Sequence, residues 1–117
     1  MSTQSIYQQP LLGAFTKQDL VDENVAYSGT LGVSTSNASN SFLPAFQDAF
    51  TGETHLSMNS DGTLAMVHLL DGLPPEWIVA RDMDGRVQAV RDTVVAGFVR
   101  DGRFYTRAEL VAKAFDS

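Results

Sequence analysis

Four Asp-Gly pairs punctuate the second half of this chain, at Asp61-Gly62, Asp71-Gly72, Asp84-Gly85 and Asp101-Gly102, and Thr51-Gly52 stands one step before them. Asp-Gly suits the two central positions of a tight hairpin turn, because both need positive φ and these residues reach it at low cost. Between the pairs lie short runs rich in Val, Ile, Phe, Tyr and Trp. That cadence predicts an antiparallel β meander. The chain's 117 residues suffice to close one core and not two, so a single domain is expected.

The pattern divides the chain near Ser41. In residues 1–14, Pro10 and Gly13 oppose regular structure. Thr16 and Asp19 have capping-box spacing for a short helix, with Leu20, Val21 and Val25 as its narrow apolar side. From Ser28 to Ser41, eleven of fourteen residues are Ser, Thr, Asn or Gly, which is linker chemistry. Residues 1–41 are therefore expected to be a flexible or weakly structured segment, and residues 42–117 to hold the fold. There the runs Phe42–Phe50, Glu53–Met58, Thr63–Leu70, Trp77–Asp82, Arg86–Arg91, Gly97–Arg100 and Arg103–Thr106 read as strands. Pro44 marks the first of them as an edge, because proline cannot donate to a ladder.

Thr106 and Glu109 complete a second capping box, and Leu110, Val111, Ala114 and Phe115 then fall on one helical face. The expected class is α+β: one twisted antiparallel meander of about five to seven strands, curled or partly barrelled, with a C-terminal helix from about Arg107 to Phe115 packed on it. The expected core draws on Phe46, Leu56, Val67, Leu69, Trp77, Val79, Val87, Val94, Phe98, Phe104, Leu110 and Val111.

Composition narrows what such a fold can do. There is no cysteine, which removes disulfides, thiolate metal sites and cysteine nucleophiles together. No apolar run approaches the ~20 residues of a membrane-spanning helix, and the polar start of the chain has neither the charge nor the apolar stretch of a secretory signal. A cytoplasmic protein without membrane contact is expected. The net charge of −6 is uneven: residues 1–80 hold Lys17 against eight carboxylates, whereas residues 81–117 hold six Arg and Lys113 against six. Such a chain is repelled by nucleic-acid phosphate at long range. No Gly-rich phosphate loop, nucleophile elbow or H-E-x-x-H helix occurs, so no cofactor and no catalytic residue is indicated.

Three groupings have chemistry to weigh. Glu53 and His55 share a strand face, and pairing symmetric about Asp61-Gly62 would bring His68 opposite His55. Two histidines and a carboxylate can hold a divalent metal. A fourth ligand is not evident, and a plain cross-strand His pair at a solvated face explains the spacing as well. Glu76 beside Trp77 offers a carboxyl whose pKa an indole can raise, but no partner acid or base accompanies it; Trp77 in the core with Glu76 in water is the simpler account. In the alternative function, Trp77, Tyr105 and Phe98 would form the apolar wall of a small-molecule pocket with Glu76 or His68 as its polar group, for binding or for an unspecified reaction. Finally, FVRDGRFYTR sets Arg100, Arg103, Tyr105 and Arg107 on one hairpin. Arginine and tyrosine dominate interface hot spots, so this hairpin is the expected protein-binding surface.

The stretch from His68 to Glu109, with LLDGLPPEWIVARDMDGRV and VVAGFVRDGRFYTRAEL, resembles small uncharacterised proteins of proteobacteria, some carried on mobile elements. The resemblance brings no ligand or catalytic residue with it; it implies an accessory or regulatory role. The expected function is a small protein-binding or regulatory module, acting on a protein partner or by self-association as a homodimer.

Overall fold

The computed structural model describes residues 13–28, 30 and 42–116, the last four of these as backbone. Among these residues, seven strands form two antiparallel sheets. They are β1 (Ala14–Thr16), β2 (Leu43–Asp48), β3 (Thr54–Leu56), β4 (Ile78–Arg81), β5 (Val87–Arg91), β6 (Val94–Arg100) and β7 (Arg103–Thr106). Helix α1 (Lys17–Ala26) follows β1, and helix α2 (Arg107–Asp116) ends the described chain. One sheet has the order β1-β5-β4 and the other β3-β2-β6-β7. The α+β class is as expected, but the strands divide between two sheets and do not close into a barrel. The chain changes sheets at Asp92-Thr93, between β5 and β6.

Alternation explains how the sheets meet. Pro44, Phe46 and Asp48 on β2 are buried, and register sets them beside Phe98, Ala96 and Val94 of β6 on the same face. Phe46, Val94 and Ala96 join Trp77, Val87, Val90, Leu70, Leu73 and Leu20 in one apolar cluster shared by both sheets and α1. Burying a side chain such as Phe46 contributes roughly 2–3 kcal/mol. Val67 and Val79 are exposed, contrary to expectation, because the inward phase falls on His68, Ile78 and Ala80 instead. Leu56, Leu69, Phe104 and Val111 are half-buried. The side chains of Ala114 and Phe115 lie outside the described residues.

The boundary at Ser41 also moves. Strand β1 pairs with β5, Phe15 facing Val90, and Leu20 of α1 enters the core. The Thr16 capping box that starts α1 is formed on both sides, at 2.9 and 3.0 Å. Residues 14–26 thus belong to the fold, whereas Val21 and Val25 stay exposed. The expectation for residues 1–12, 29 and 31–41 lies outside the described residues.

Pro44 does not mark an edge, since β2 lies between β3 and β6. Ser57 N–H still donates to the Pro44 carbonyl (2.8 Å). The Ser57 carbonyl, which a donor at residue 44 would have used, accepts the Ala65 N–H instead (3.0 Å). Thr63–Leu70 is not a strand; one bridge, Met58 to Leu64, is all the pairing it has among the described residues. The buried Ser57 hydroxyl takes the place of a ladder, donating to the Val67 carbonyl and accepting from the Leu69 N–H, both at 2.8 Å.

The Asp-Gly pairs play different parts. Only Asp101-Gly102 has positive φ at both residues, and it closes the two-residue β6–β7 hairpin with Arg100 facing Arg103. At Asp84-Gly85 the glycine alone is left-handed, and Asp82 caps the turn by accepting from the N–H groups of Asp84 and Arg86. Gly97 answers to a different demand. A Cβ there would collide with the Tyr105 carbonyl oxygen and the Phe104 ring of β7. Gly97→Ala is expected to destabilise the fold by about 3 kcal/mol, lowering the thermal midpoint on the order of 10 °C. Gly13→Ala, where nothing lies within 4 Å, should change stability by less than ~0.5 kcal/mol. Urea melts of the two variants check this; equal midpoints would refute the close packing of β7 on β6.

Candidate functional site

The residues singled out from the sequence separate into three places. Glu53 and His55 stay together on β3, Nε2 of His55 on the Glu53 carboxylate, with the imidazole edge-on to Trp77 at 5.0 Å between centroids. His55 faces Phe46 of β2, not His68. His68 lies inside, stacked edge-on between Phe46 and Phe98 at 5.2 and 5.1 Å. The metal trio is therefore not assembled, because Thr63–Leu70 does not pair with β3. Among the described residues no three His, Cys, Asp or Glu side chains gather as a ligand set.

Arg107 has also moved from its expected role. It is the first residue of α2, and that helical turn swings its side chain inward until it is only 2 % exposed. Nη2 donates to Asn24 Oδ1 (2.8 Å) and reaches His68 Nδ1 (3.3 Å), Nε lies 3.2 Å from Glu23 Oε1, and the guanidinium sits over the Tyr27 ring. With Nδ1 facing a donor, His68 is neutral and carries its proton on Nε2, which donates to the Gly97 carbonyl (2.6 Å). Burial pulls the Arg107 guanidinium below its usual range and raises the Glu23 carboxyl, although each charge favours the other. Desolvation thus outweighs attraction in this pair. The cluster joins α1, α2 and β6; it is not a contact surface.

Arg100, Arg103 and Tyr105 do come together outside. The register sets Phe98 beside Tyr105 and Arg100 beside Arg103, so these side chains share a sheet face. Phe42, just before β2, enters the group. The Arg100 guanidinium stands 5.1 Å over the Phe42 ring, Phe42 meets Tyr105 edge-on at 5.5 Å, and Arg103 stands 4.9 Å over Tyr105. Two cations thus flank two interlocked rings. Each exposed cation–π contact contributes roughly 0.5–1 kcal/mol. Asp101 approaches Arg100 to 3.8 Å and offsets part of the charge. The i, i+2 spacing of Arg103 and Tyr105 is visible in the sequence, whereas Phe42 is placed only by the long-range pairing of β2 with β6.

Among the described residues, Trp77, Phe98 and Tyr105 do not come together as the wall of the alternative pocket. Trp77 and Phe98 are 0 % exposed, packed on all sides in the core, while Glu76 is exposed in the middle of the 3-10 turn Pro75–Trp77. Open cavities lie elsewhere: about 200 Å³ beside Glu23, Tyr27 and Thr106, about 220 Å³ beside Asp71, Arg81 and Arg86, and about 440 Å³ beside Phe50 and Val79. No helix among the described residues is long and apolar enough to cross a membrane. The chain matches no protein-family model, and no curated protein or solved structure matches it.

His68 generates a pH dependence. Burial, and then the nearby Arg107 charge, lower its pKa from 6.5 to about 4. Between these values the unfolded chain binds more protons than the folded one, so stability is full above pH 6.5 and falls as the pH drops toward 4. The loss is about 3 kcal/mol, reduced in part by Glu23, whose raised carboxyl acts in the opposite sense. Denaturant melts across this range should show the slope, and His68→Gln should flatten it. An unchanged slope in that variant would place the titration elsewhere.

Proposed function

We propose that this protein is a small cytoplasmic binding module that engages a protein partner through the Arg100–Phe42–Tyr105–Arg103 array. The observation that supports this reading is the array itself. Its guanidiniums rest on rings before any partner arrives, so binding orders little that is not already ordered. Arginine and tyrosine give much interface energy for their area, and the planar guanidinium pairs with carboxylates in two-point geometry. The partner is therefore a segment rich in Asp or Glu. The acidic first two-thirds of a second copy is one source of such a surface. Nucleic acid fits poorly, because the chain carries −6 overall and its third hairpin arginine is buried. The resemblance to proteobacterial proteins, some on mobile elements, adds an accessory or regulatory role to this reading.

Fluorescence anisotropy with a labelled Asp/Glu-rich peptide tests it. Binding should weaken as salt rises from ~50 to ~300 mM, and R100E/R103E should lose about tenfold or more in affinity while keeping its circular dichroism. Undiminished binding by that variant, or tighter binding of single-stranded DNA than of the peptide, would overturn the proposal.

A further inference from the structure

Each Asp-Gly pair carries a reactivity besides its turn geometry. The glycine nitrogen can attack Cγ of the aspartate before it, since glycine has no side chain to obstruct the approach. A C–N bond forms, the Cγ–OH bond breaks, and water leaves with the amide proton, closing a succinimide ring. Water then opens that ring at one of its two carbonyls. Opening at Cγ restores aspartate. Opening at the main-chain carbonyl leaves the chain linked through Cβ and Cγ, which is an isoaspartate. Nothing is oxidised or reduced, and water is the only co-reactant. The requirements are a free carboxyl, a free glycine nitrogen and room to turn.

The four pairs differ on these points. Asp61 Oδ1 accepts from the Thr63 N–H (3.0 Å) and hydroxyl (2.7 Å), and the Gly62 N–H donates to the Asn59 carbonyl (3.0 Å). Asp71 is held by the Val87 N–H (3.0 Å) and by Arg86 (3.3 Å), and Gly72 lies so close to Met58 that a Cβ would not fit. Asp84 is exposed, but the Gly85 N–H donates to the Asp82 carbonyl (3.0 Å). At Asp101-Gly102 both reacting groups are open. The Asp101 side chain is 91 % exposed, with Arg100 Nε at 3.8 Å, beyond hydrogen-bond reach. Among the described residues the Gly102 N–H donates to no acceptor, and a Cβ on Gly102 would meet nothing within 4 Å.

The backbone adds a push. Asp101 is left-handed (φ 55°), a conformation that disfavours any residue with a Cβ. The rotation that brings the Gly102 nitrogen onto Cγ takes Asp101 out of it. We propose that Asp101-Gly102 is the site at which this protein converts spontaneously to isoaspartate, ahead of its other Asp-Gly pairs. The isoaspartyl link adds a main-chain atom to the two-residue turn that sets Arg100 opposite Arg103, and so tight a turn has no slack for it. Conversion therefore shifts Arg103 and Tyr105 relative to Arg100 and Phe42. The assignment of the site does not depend on what the array binds.

Peptide mapping of the aged full chain tests this. Samples are held for several weeks at neutral pH and physiological temperature, one set folded and one in guanidinium chloride. Chymotrypsin then releases the turn between Phe98 and Phe104. Electron-transfer fragmentation tells isoaspartate from aspartate, which have equal mass. The unfolded set should convert comparably at all four pairs. In the folded set Asp101 should lead Asp61, Asp71 and Asp84 by about tenfold, equivalent to ~1.4 kcal/mol in barrier. Asp101→Glu, whose longer side chain closes a ring far more slowly, should remove the signal at this turn and leave the other three unchanged. Folded protein that converts first at another pair, or equally at all four, overturns the proposal, as does the absence of isoaspartate at Asp101.

Discussion

A guanidinium withdrawn from water has to be surrounded, and the burial of Arg107 is the constraint on which the arrangement of the remaining elements depends. Its partners come from α1 (Glu23, Asn24), from the turn ending that helix (Tyr27), and from the irregular segment after β3 (His68). His68 in turn is fixed by the carbonyl of Gly97, in the middle of β6. One side chain therefore couples the first helix, the last helix and the central ladder. The ion pair at its centre is not a source of stability in itself, because both partners are shifted toward neutrality by burial. What it supplies is uniqueness: displacing any one member leaves a buried polar group without its partner, at a cost of several kcal/mol.

The features legible in the sequence are those set by neighbours in the chain. Both capping boxes, Thr16 with Asp19 and Thr106 with Glu109, form as spaced. The hairpins at Asp84-Gly85 and Asp101-Gly102 form as well, although only the second needs left-handed backbone at both residues. The features hidden from the sequence depend on distant groups. Thr63–Leu70 has the composition of a strand, yet Ser57 supplies the hydrogen bonds a neighbouring strand would have made. Pro44 sits in a sheet interior only because the Ser57 carbonyl finds another donor.

The same division runs through the candidate site. Arg103 and Tyr105 alternate correctly for one strand face, and Arg100 joins them across the turn. Arg107 belongs to the same short motif in the sequence, but the switch from strand to helix at Thr106 changes the direction of its side chain, and Asn24 lies on a different element altogether. Trp77 and Phe98 are pocket candidates by residue type alone; in so short a chain the core needs both.

The pairing of β2 with β6 has a consequence for the order in which the molecule is assembled. These two strands form the centre of the four-stranded sheet, and their partners, from Leu43 with Val99 to Asp48 with Val94, lie roughly fifty residues apart along the chain. Ribosomal synthesis delivers Phe46 long before Ala96 exists to cover it. The local hairpin of β4 with β5 closes within about microseconds, but the central ladder has to wait for the last third of the chain and then pay the entropy of closing a long loop. Proteins dominated by such distant pairings fold in roughly milliseconds to seconds. During that interval the newly made β2, with its run of apolar residues, is the segment most in need of protection from other unfinished chains.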